Sequence, residues 1–355
     1  MTFEDVLEIK NGKNQRTVED PSGQYPIYGS GGIMGYARDY ICQADTVIVG
    51  RKGNINKPIY VDEPFWNVDT AFGLEAKREL LLPRYLYYFC LKYDFEKLNK
   101  AVTIPSLTKA DLLKINIELP SLQSQTEIVA RLRKIEEIIL LRQQELKVLD
   151  DLVKARFVEM FGDPIKNNKK LQIKRLDELG TWNSGGTPLR TKPEFFTGSI
   201  NWYSAGELNS LYLDNSIEKI TNTAIEESAA KLFKAGSMLV GMYDTAAFKM
   251  GILKEASASN QACACIEPND EVNIVWLYYA LSLMKEDYLS QRRGVRQKNL
   301  NLGMIRGFEL PIAEKTNQDE FVNYVEQVEK SKVAVQKALD EAQILFDSLM
   351  QEYFR

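Results

Sequence analysis

The chain has 355 residues, 45% of them apolar and 26% charged, with a formal net charge of −4. That length is enough for two globular units that each bury a core. There is no histidine, which removes the commonest general base and metal ligand, and the acidic total argues against a nucleic-acid partner unless the cations are gathered in patches.

The opening Met1-Thr2-Phe3-Glu4-Asp5 lacks the basic and apolar regions of a secretory signal. No run of eighteen apolar residues follows, so no membrane span is expected and cytoplasmic residence is the default. Residues 10–60 hold Lys10, Lys13, Arg16, Arg38, Arg51, Lys52 and Lys57, interleaved with Tyr25, Tyr28 and Tyr36. Gly29, Gly31, Gly32 and Gly35 signal loops, but they match neither a P-loop nor a dinucleotide fingerprint. Thr46-Val47-Ile48-Val49 reads as a strand. The Arg51-Lys52-Gly53-Asn54 turn behind it presents two cations and an amide. A short helix is expected around Leu86. Trp66 and Trp202-Tyr203 read as core or domain-edge aromatics.

Next comes a long helix. Ser124-Gln125-Thr126-Glu127 has the capping-box spacing, and Ile128, Leu132, Ile135, Ile139, Leu146, Leu149, Val153 and Met160 form a seam with alternating steps of three and four, the coiled-coil pattern. Gly162-Asp163-Pro164 stops it. Arg142 and Arg156 interrupt the seam, either as stems that lift their charge to its edge or as register-setting polar residues.

The rest of the chain repeats this plan. Gly185, Gly186 and Pro188 mark loops, followed by Arg190 and Lys192. Met238-Leu239-Val240 reads as a strand and the Leu277 stretch as a helix. Arg292, Arg293, Arg296 and Lys298, with Gln297 and Asn299, lie in a stretch without an acidic residue from 288 to 308. Asn317-Gln318-Asp319-Glu320 is a looser cap, and the closing seam is Phe321, Val325, Val328, Val335, Leu339, Ala342, Phe346, Leu349 and Tyr353, interrupted by Lys332. The repeat is literal in places. Leu86-Tyr87-Tyr88 recurs as Leu277-Tyr278-Tyr279, Glu118-Leu119-Pro120 as Glu309-Leu310-Pro311, and Val49-Gly50 as Val240-Gly241, all at an offset of 191. An offset of 193 then aligns Ser124 with Asn317 and Glu127 with Glu320. Three matches in one frame point to duplication.

This predicts an α/β chain: two mixed α/β domains joined by two long antiparallel coiled-coil helices in pseudo-twofold arrangement. The expected segments are 1–121 for the first domain, 122–162 for the first helix, 163–311 for a linker and the second domain, and 312–355 for the second helix. About 35 residues of helix span roughly 50 Å, a spacer suited to a rigid rod carrying two short sites.

Arg, Lys, Asn and Gln read base edges in the major groove, and the remaining cations and glycine-loop amides hold phosphates. The candidate DNA-contacting residues are therefore Lys13, Arg16, Arg38, Arg51, Lys52, Asn54, Arg190, Lys192, Arg292, Arg293, Arg296, Gln297 and Lys298. Any single exposed cation is more often only solvated, so the 292–298 cluster carries most weight. Asp69, Asp244 and Asp287 are scattered, and Cys42, Cys90, Cys263 and Cys265 fit neither a disulfide framework nor a zinc site. No amino-methylation, helicase or nuclease motif is present. No catalytic residue, metal or bound cofactor is expected, and the competing reading is a protein-binding coiled-coil scaffold without DNA recognition.

The duplicated layout, the strand Thr46–Gly50 with Arg51-Lys52-Gly53, the Leu-Pro ends at 119–120 and 310–311, and the run Gly294–Leu302, echoed by Ile104–Lys109, resemble the specificity subunits of type I restriction-modification systems over essentially the whole chain. Relative to that layout the first reading domain begins close to Met1, without an opening tryptophan segment. The resemblance implies a subunit that reads a bipartite, asymmetric site on double-stranded DNA, one half per reading domain, across an unspecified gap set by the helices. It implies two modification subunits that methylate adenine from S-adenosylmethionine, and two restriction subunits that use ATP and Mg, all of them on partner chains.

Overall fold

The computed structural model describes residues 1–100, 103–291 and 299–355. The chain divides into two compact units, one made of Met1–Gln144 with Val335–Arg355 and the other of Glu145–Ala334. Each holds one mixed α/β body and a stretch of both long helices.

In the first unit α1 (Phe3–Val6) leads into β1 (Leu7–Asn11), followed by β2 (Tyr25–Gly29), β3 (Gly32–Ala37), β4 (Thr46–Gly50), β5 (Ile59–Val61), β6 (Trp66–Asn67) and β7 (Ala71–Ala76). The helices α2 (Pro83–Lys92), α3 (Lys109–Leu112) and α4 (Leu122–Phe161) come next. The main sheet has the order β1-β7-β4-β5, antiparallel throughout. Every residue of β4 is buried because both faces of the sheet are covered. Val47 and Val49 face a core with Tyr85 and Leu86 of α2, while Ile48 faces Cys42, Phe65 and Ala71.

The second unit continues through β8 (Gln172–Arg175), β9 (Gly180–Ser184), β10 (Ile200–Tyr203), β11 (Tyr212–Leu213), β12 (Glu218–Ile220) and α5 (Asn222–Glu226). Then come β13 (Met238–Gly241), β14 (Met250–Leu253), β15 (Ala258–Ser259), β16 (Cys263–Pro268), α6 (Ile274–Ser290), α7 (Leu302–Gly307), β17 (Glu309–Ile312) and α8 (Lys315–Tyr353). Its main sheet, β9-β16-β13-β14-β11, repeats the order of the first and adds β11. The alternation along the central strand repeats too: Met238 and Val240 face the core of α6, and Leu239 faces Cys263, Cys265 and Tyr203. All four cysteines are buried and unpaired.

Each unit also repeats a lock built on a fully buried glutamine. Gln125 Nε2 donates to the carbonyls of Leu80 (2.9 Å) and Pro120 (3.0 Å), and its Oε1 accepts from the Leu82 amide (2.9 Å) at the start of α2. Gln318 does the same 193 residues later, donating to Glu271 and Ala313 and accepting from the Asn273 amide (2.7 Å) at the start of α6. Three otherwise unsatisfied backbone groups are paired by one side chain.

The first long helix starts earlier than the capping-box reading placed it. Ser121, not Ser124, caps α4, its Oγ accepting from the Ser124 amide (3.2 Å), because Gln125 is drawn inward by the lock. Of the seam residues in the first unit, Leu132 and Ile135 are buried and Phe346, Leu349 and Tyr353 of α8 are half-buried, while Met350 and Phe354, each one residue past a predicted seam position, are the fully enclosed residues at that end of α8. There Arg131 Nη1 donates to the Tyr353 hydroxyl (3.2 Å). In the second unit Val153, Phe157 and Phe161 of α4 pack with Phe321, Val325 and Val328 of α8. Within this unit Lys332 pairs with Asp150 (2.8 Å) and Arg156 reaches Glu320 (3.5 Å), so here the two helices run antiparallel. Burial disfavours the Lys332 charge, but its bonds to Asp150 and Glu329 outweigh that and raise its pKa. These pairs give two of the seam cations a register-setting geometry. Among the described residues no helix is long and apolar enough to cross a membrane.

Candidate nucleic-acid interface

A small three-stranded sheet recurs in both units. In the first, β2 pairs antiparallel with β3 and parallel with β6. In the second, β10 pairs antiparallel with β12 and parallel with β15. Most candidate residues in the described chain lie in loops beside these sheets. The strands are too short and glycine-rich to stand out as elements in the sequence.

The first unit's cations emerge from three places around its sheet. Lys13 is tied to β6, its amide donating to the Asn67 carbonyl (2.8 Å) and its carbonyl accepting from Trp66 Nε1 (3.0 Å). Arg38 follows β3 and holds the 16–18 loop, with its amide on Val18 O (3.0 Å) and Nη2 on Thr17 O (3.3 Å), which brings Arg16 to the same end. The Arg51–Asn54 turn is pinned by the Thr70 carbonyl, which accepts from the Arg51 (2.8 Å) and Lys52 (3.2 Å) amides. Leu107 N donates to Arg51 O (2.9 Å). Gly50 and Gly53 are required here: a Cβ on Gly50 would lie 2.3 Å from Asn54 O, and Gly53 has φ +82°. The tip of the β2–β3 hairpin lies beside this turn, since a Cβ on Gly31 would sit 3.7 Å from Asn54 Nδ2. Lys13, Arg16, Arg38, Arg51, Lys52 and Asn54 are all exposed, and among the described residues none of these cations makes an ion pair.

The second unit differs. Arg190 forms a bidentate pair with Glu218 of β12 (2.5 and 2.8 Å) and stacks on Phe196 (4.3 Å) and Trp202 (5.1 Å). The arginine's hydrogen bond holds the Glu218 carboxyl below its ordinary range. Lys192 pairs with Glu227 (3.2 Å) over Phe195 (4.6 Å). Each of the two is thus held by a carboxylate and an aromatic ring, with donors left over on its exposed side. Arg292, Arg293, Arg296, Gln297 and Lys298 lie outside the described residues. The chain beyond them is anchored at Asn299, whose Oδ1 accepts from the Asp244 amide (3.1 Å), and at Leu300, whose amide donates to Met242 O (2.9 Å). This is the counterpart of the Leu107–Arg51 bond. The late segment of each unit thus meets the turn after its central strand, but the cations are divided oppositely. The first unit carries Arg51 and Lys52 on the turn, whereas the second has Met242 and Tyr243 at those positions and its cations at 292–298.

The repeat pattern could have revealed the glutamine lock, because Gln125 and Gln318 share the 193 offset. The exposed pair Ile33 and Met34 on β3 could not have been found that way, since it depends on a bulge. Among the described residues no group of three or more metal-ligating side chains comes together.

A family model described as the type I restriction modification DNA specificity domain matches residues 1–150 and 168–343. The specificity subunit of the Escherichia coli type I restriction enzyme EcoR124I/EcoR124II is 24% identical over 289 residues, covering 75% of this chain and 69% of that subunit. The MjaIX specificity subunit of Methanocaldococcus jannaschii is 27% identical over 133 residues, 36% of this chain and 31% of its own. In fold, the chain is similar to the S subunit of a type I restriction-modification system from M. genitalium, with a TM-score of 0.66 at 15% identity, covering 100% of this chain and 95% of that one.

Proposed function

Because the chain belongs to the type I restriction-modification DNA specificity family, we propose that its two units each read one half of a split, asymmetric DNA site. The chain is the sequence-specific DNA-recognition subunit of a type I complex and is not itself an enzyme. The observation that carries the two-half reading is that one architecture occurs twice with different chemistry at its loops. The main sheets share strand order and the glutamine lock recurs, yet the turn after the central strand is Arg51-Lys52 in one unit and Met242-Tyr243 in the other. A shared scaffold presenting unlike side chains is what two unlike half-sites require.

The rest of the assembly follows from this reading. The long helices act as spacer and as docking platform for two modification subunits. Ile138, Leu140 and Leu141, all exposed on α4, are suited to such a contact. The methyl donor S-adenosylmethionine sits on those subunits, and ATP and Mg serve two restriction subunits. The candidate reading residues are Lys13, Arg16, Arg38, Arg51, Lys52 and Asn54 in the first unit and the 292–298 cluster in the second. The test is methylation mapping. The chain with modification subunits is expected to methylate adenines in a two-part sequence with an unspecified gap, and the purified chain alone to transfer no methyl group from labelled donor. Methyl transfer by the isolated chain, or an undivided recognition sequence, would overturn the account.

A further inference from the structure

The β2–β3 hairpin of the first unit carries two large apolar side chains where strand alternation would bury one of them. Its register shifts between Ile27, which pairs with Gly35, and Tyr28, which pairs with Ile33, leaving Met34 as the extra residue of a bulge. A bulge re-aims side chains. Ile33 is 56% exposed and Met34 62% exposed, in succession on the same strand. Met34 also lies across a glycine, since a Cβ on Gly29 would come within 2.7 Å of its sulfur. The two adjacent aliphatics form a small apolar patch that an apolar group of a ligand could cover.

What surrounds the hairpin defines that occupant. The tip at Ser30-Gly31 lies against the Arg51–Asn54 turn, whose cations are exposed and form no ion pair among the described residues. Exposed apolar groups two and three residues from a hairpin tip that meets exposed cations and an amide suit a polyanion with apolar groups recessed between its charges. The major groove of duplex DNA has that form: phosphates line its rims, adenine offers an amide partner, and thymine projects a methyl group. The groove also admits a two-stranded β-ribbon.

We propose that the β2–β3 hairpin is the major-groove ribbon of the first unit and that Ile33 and Met34 recognise the methyl group of a thymine in its half-site. The inference rests on the split-site reading above. On it, Asn54 lies where it can pair with a neighbouring adenine edge, and Arg51 and Lys52 hold the flanking phosphates. The second unit has its own outlying aliphatic beside its small sheet, Ile217, which is 87% exposed directly before β12.

The experiment uses the complex of the full chain with its modification subunits and duplexes carrying the mapped site, with each thymine of the first half-site replaced in turn by deoxyuridine. A half-site that contains a methylatable adenine contains a thymine opposite it, so a substitution is always available. Losing one buried methyl contact should weaken binding about fourfold at one thymine, and the same replacements in the second half-site should not involve the hairpin. In the double variant Ile33→Ser, Met34→Ser, that thymine and deoxyuridine should bind equally. Intact binding with no sensitivity to any first-half thymine methyl would overturn the inference and leave the split-site reading standing. So would a double variant that keeps the discrimination, or one that fails to assemble with the modification subunits while the wild type ignores the thymine methyl. Failure of the complex to bind any split site would remove both.

Discussion

A chain lengthened by four helix-forming residues after Leu146 in α4 and four after Gln336 in α8 is expected to methylate the same two half-sites across a gap one or two base pairs longer. The helices are 40 and 39 residues long, so inserting in both keeps them matched. Within each unit the existing partners, Arg131 with Tyr353 and Asp150 with Lys332, stay on their own side of the insertion. Four residues add about 6 Å of rise and about 40° of rotation. One base pair advances about 3.4 Å and turns about 35°, since a duplex turn takes about 10–10.5 base pairs. Rise therefore asks for nearly two base pairs and twist for about one. Because both lie within reach of modest helix bending, the gap should grow rather than the half-sites change. Methylation mapping reads the result directly. Unchanged half-sites at an unchanged gap would show that the helices do not set the distance.

Replacing Phe157 with alanine should cost the second unit about 3–5 kcal/mol. The ring is 1% exposed and sits among Phe161 (4.9 Å), Trp276 (5.7 Å) and Phe321 (5.3 Å, edge to face). It thereby joins α4, α6 and α8 in one core. Its loss removes both buried area and the aromatic contacts that fix the three helices. The expected outcome by calorimetry is a transition lowered on the order of 10 °C. Val158→Ala, one residue on at an exposed position, should leave it nearly unchanged. Equal small shifts in both variants would mean that Phe157 is not the keystone of that core.

Phe157 also shows where the sequence stops being legible. A seam traced by alternating threes and fours runs through Val153, Arg156 and Met160, which leaves Phe157 beside it. The ring is buried because α6 packs on that flank of the helix in addition to α8, a tertiary fact that no heptad carries. Features with strong local periodicity or exact repetition were readable: the central strands at 46–50 and 238–241, the helices around Leu86 and Leu277, and most of both seams. The aromatics Trp66 and Trp202 were readable as buried, and each ring nitrogen finds a backbone carbonyl, Lys13 O and Gly186 O. Capping was misjudged because Ser124-Gln125-Thr126-Glu127 satisfies a local rule, while a long-range demand of Gln125 starts the helix earlier.

The candidate interface was legible as composition and not as geometry. Counting cations put Arg190 and Lys192 on equal terms with Arg51 and Lys52. The fold separates them, because Glu218 and Glu227 come from distant strands and loops to pair with the former. The small sheets beside which most of the candidates lie consist of strands of two to six residues, below the length at which periodicity has meaning. The apolar pair on β3 depends on a register shift that only strand pairing reveals.

The most direct test of the account exchanges residues 171–311 for the corresponding segment of a family member with a different recognition sequence, in the complex with its modification subunits, and maps the methylated adenines. If the duplicated units read independently, one half of the site changes to that of the donor, while the other half and the gap persist. A change in both halves, or in neither, would contradict it.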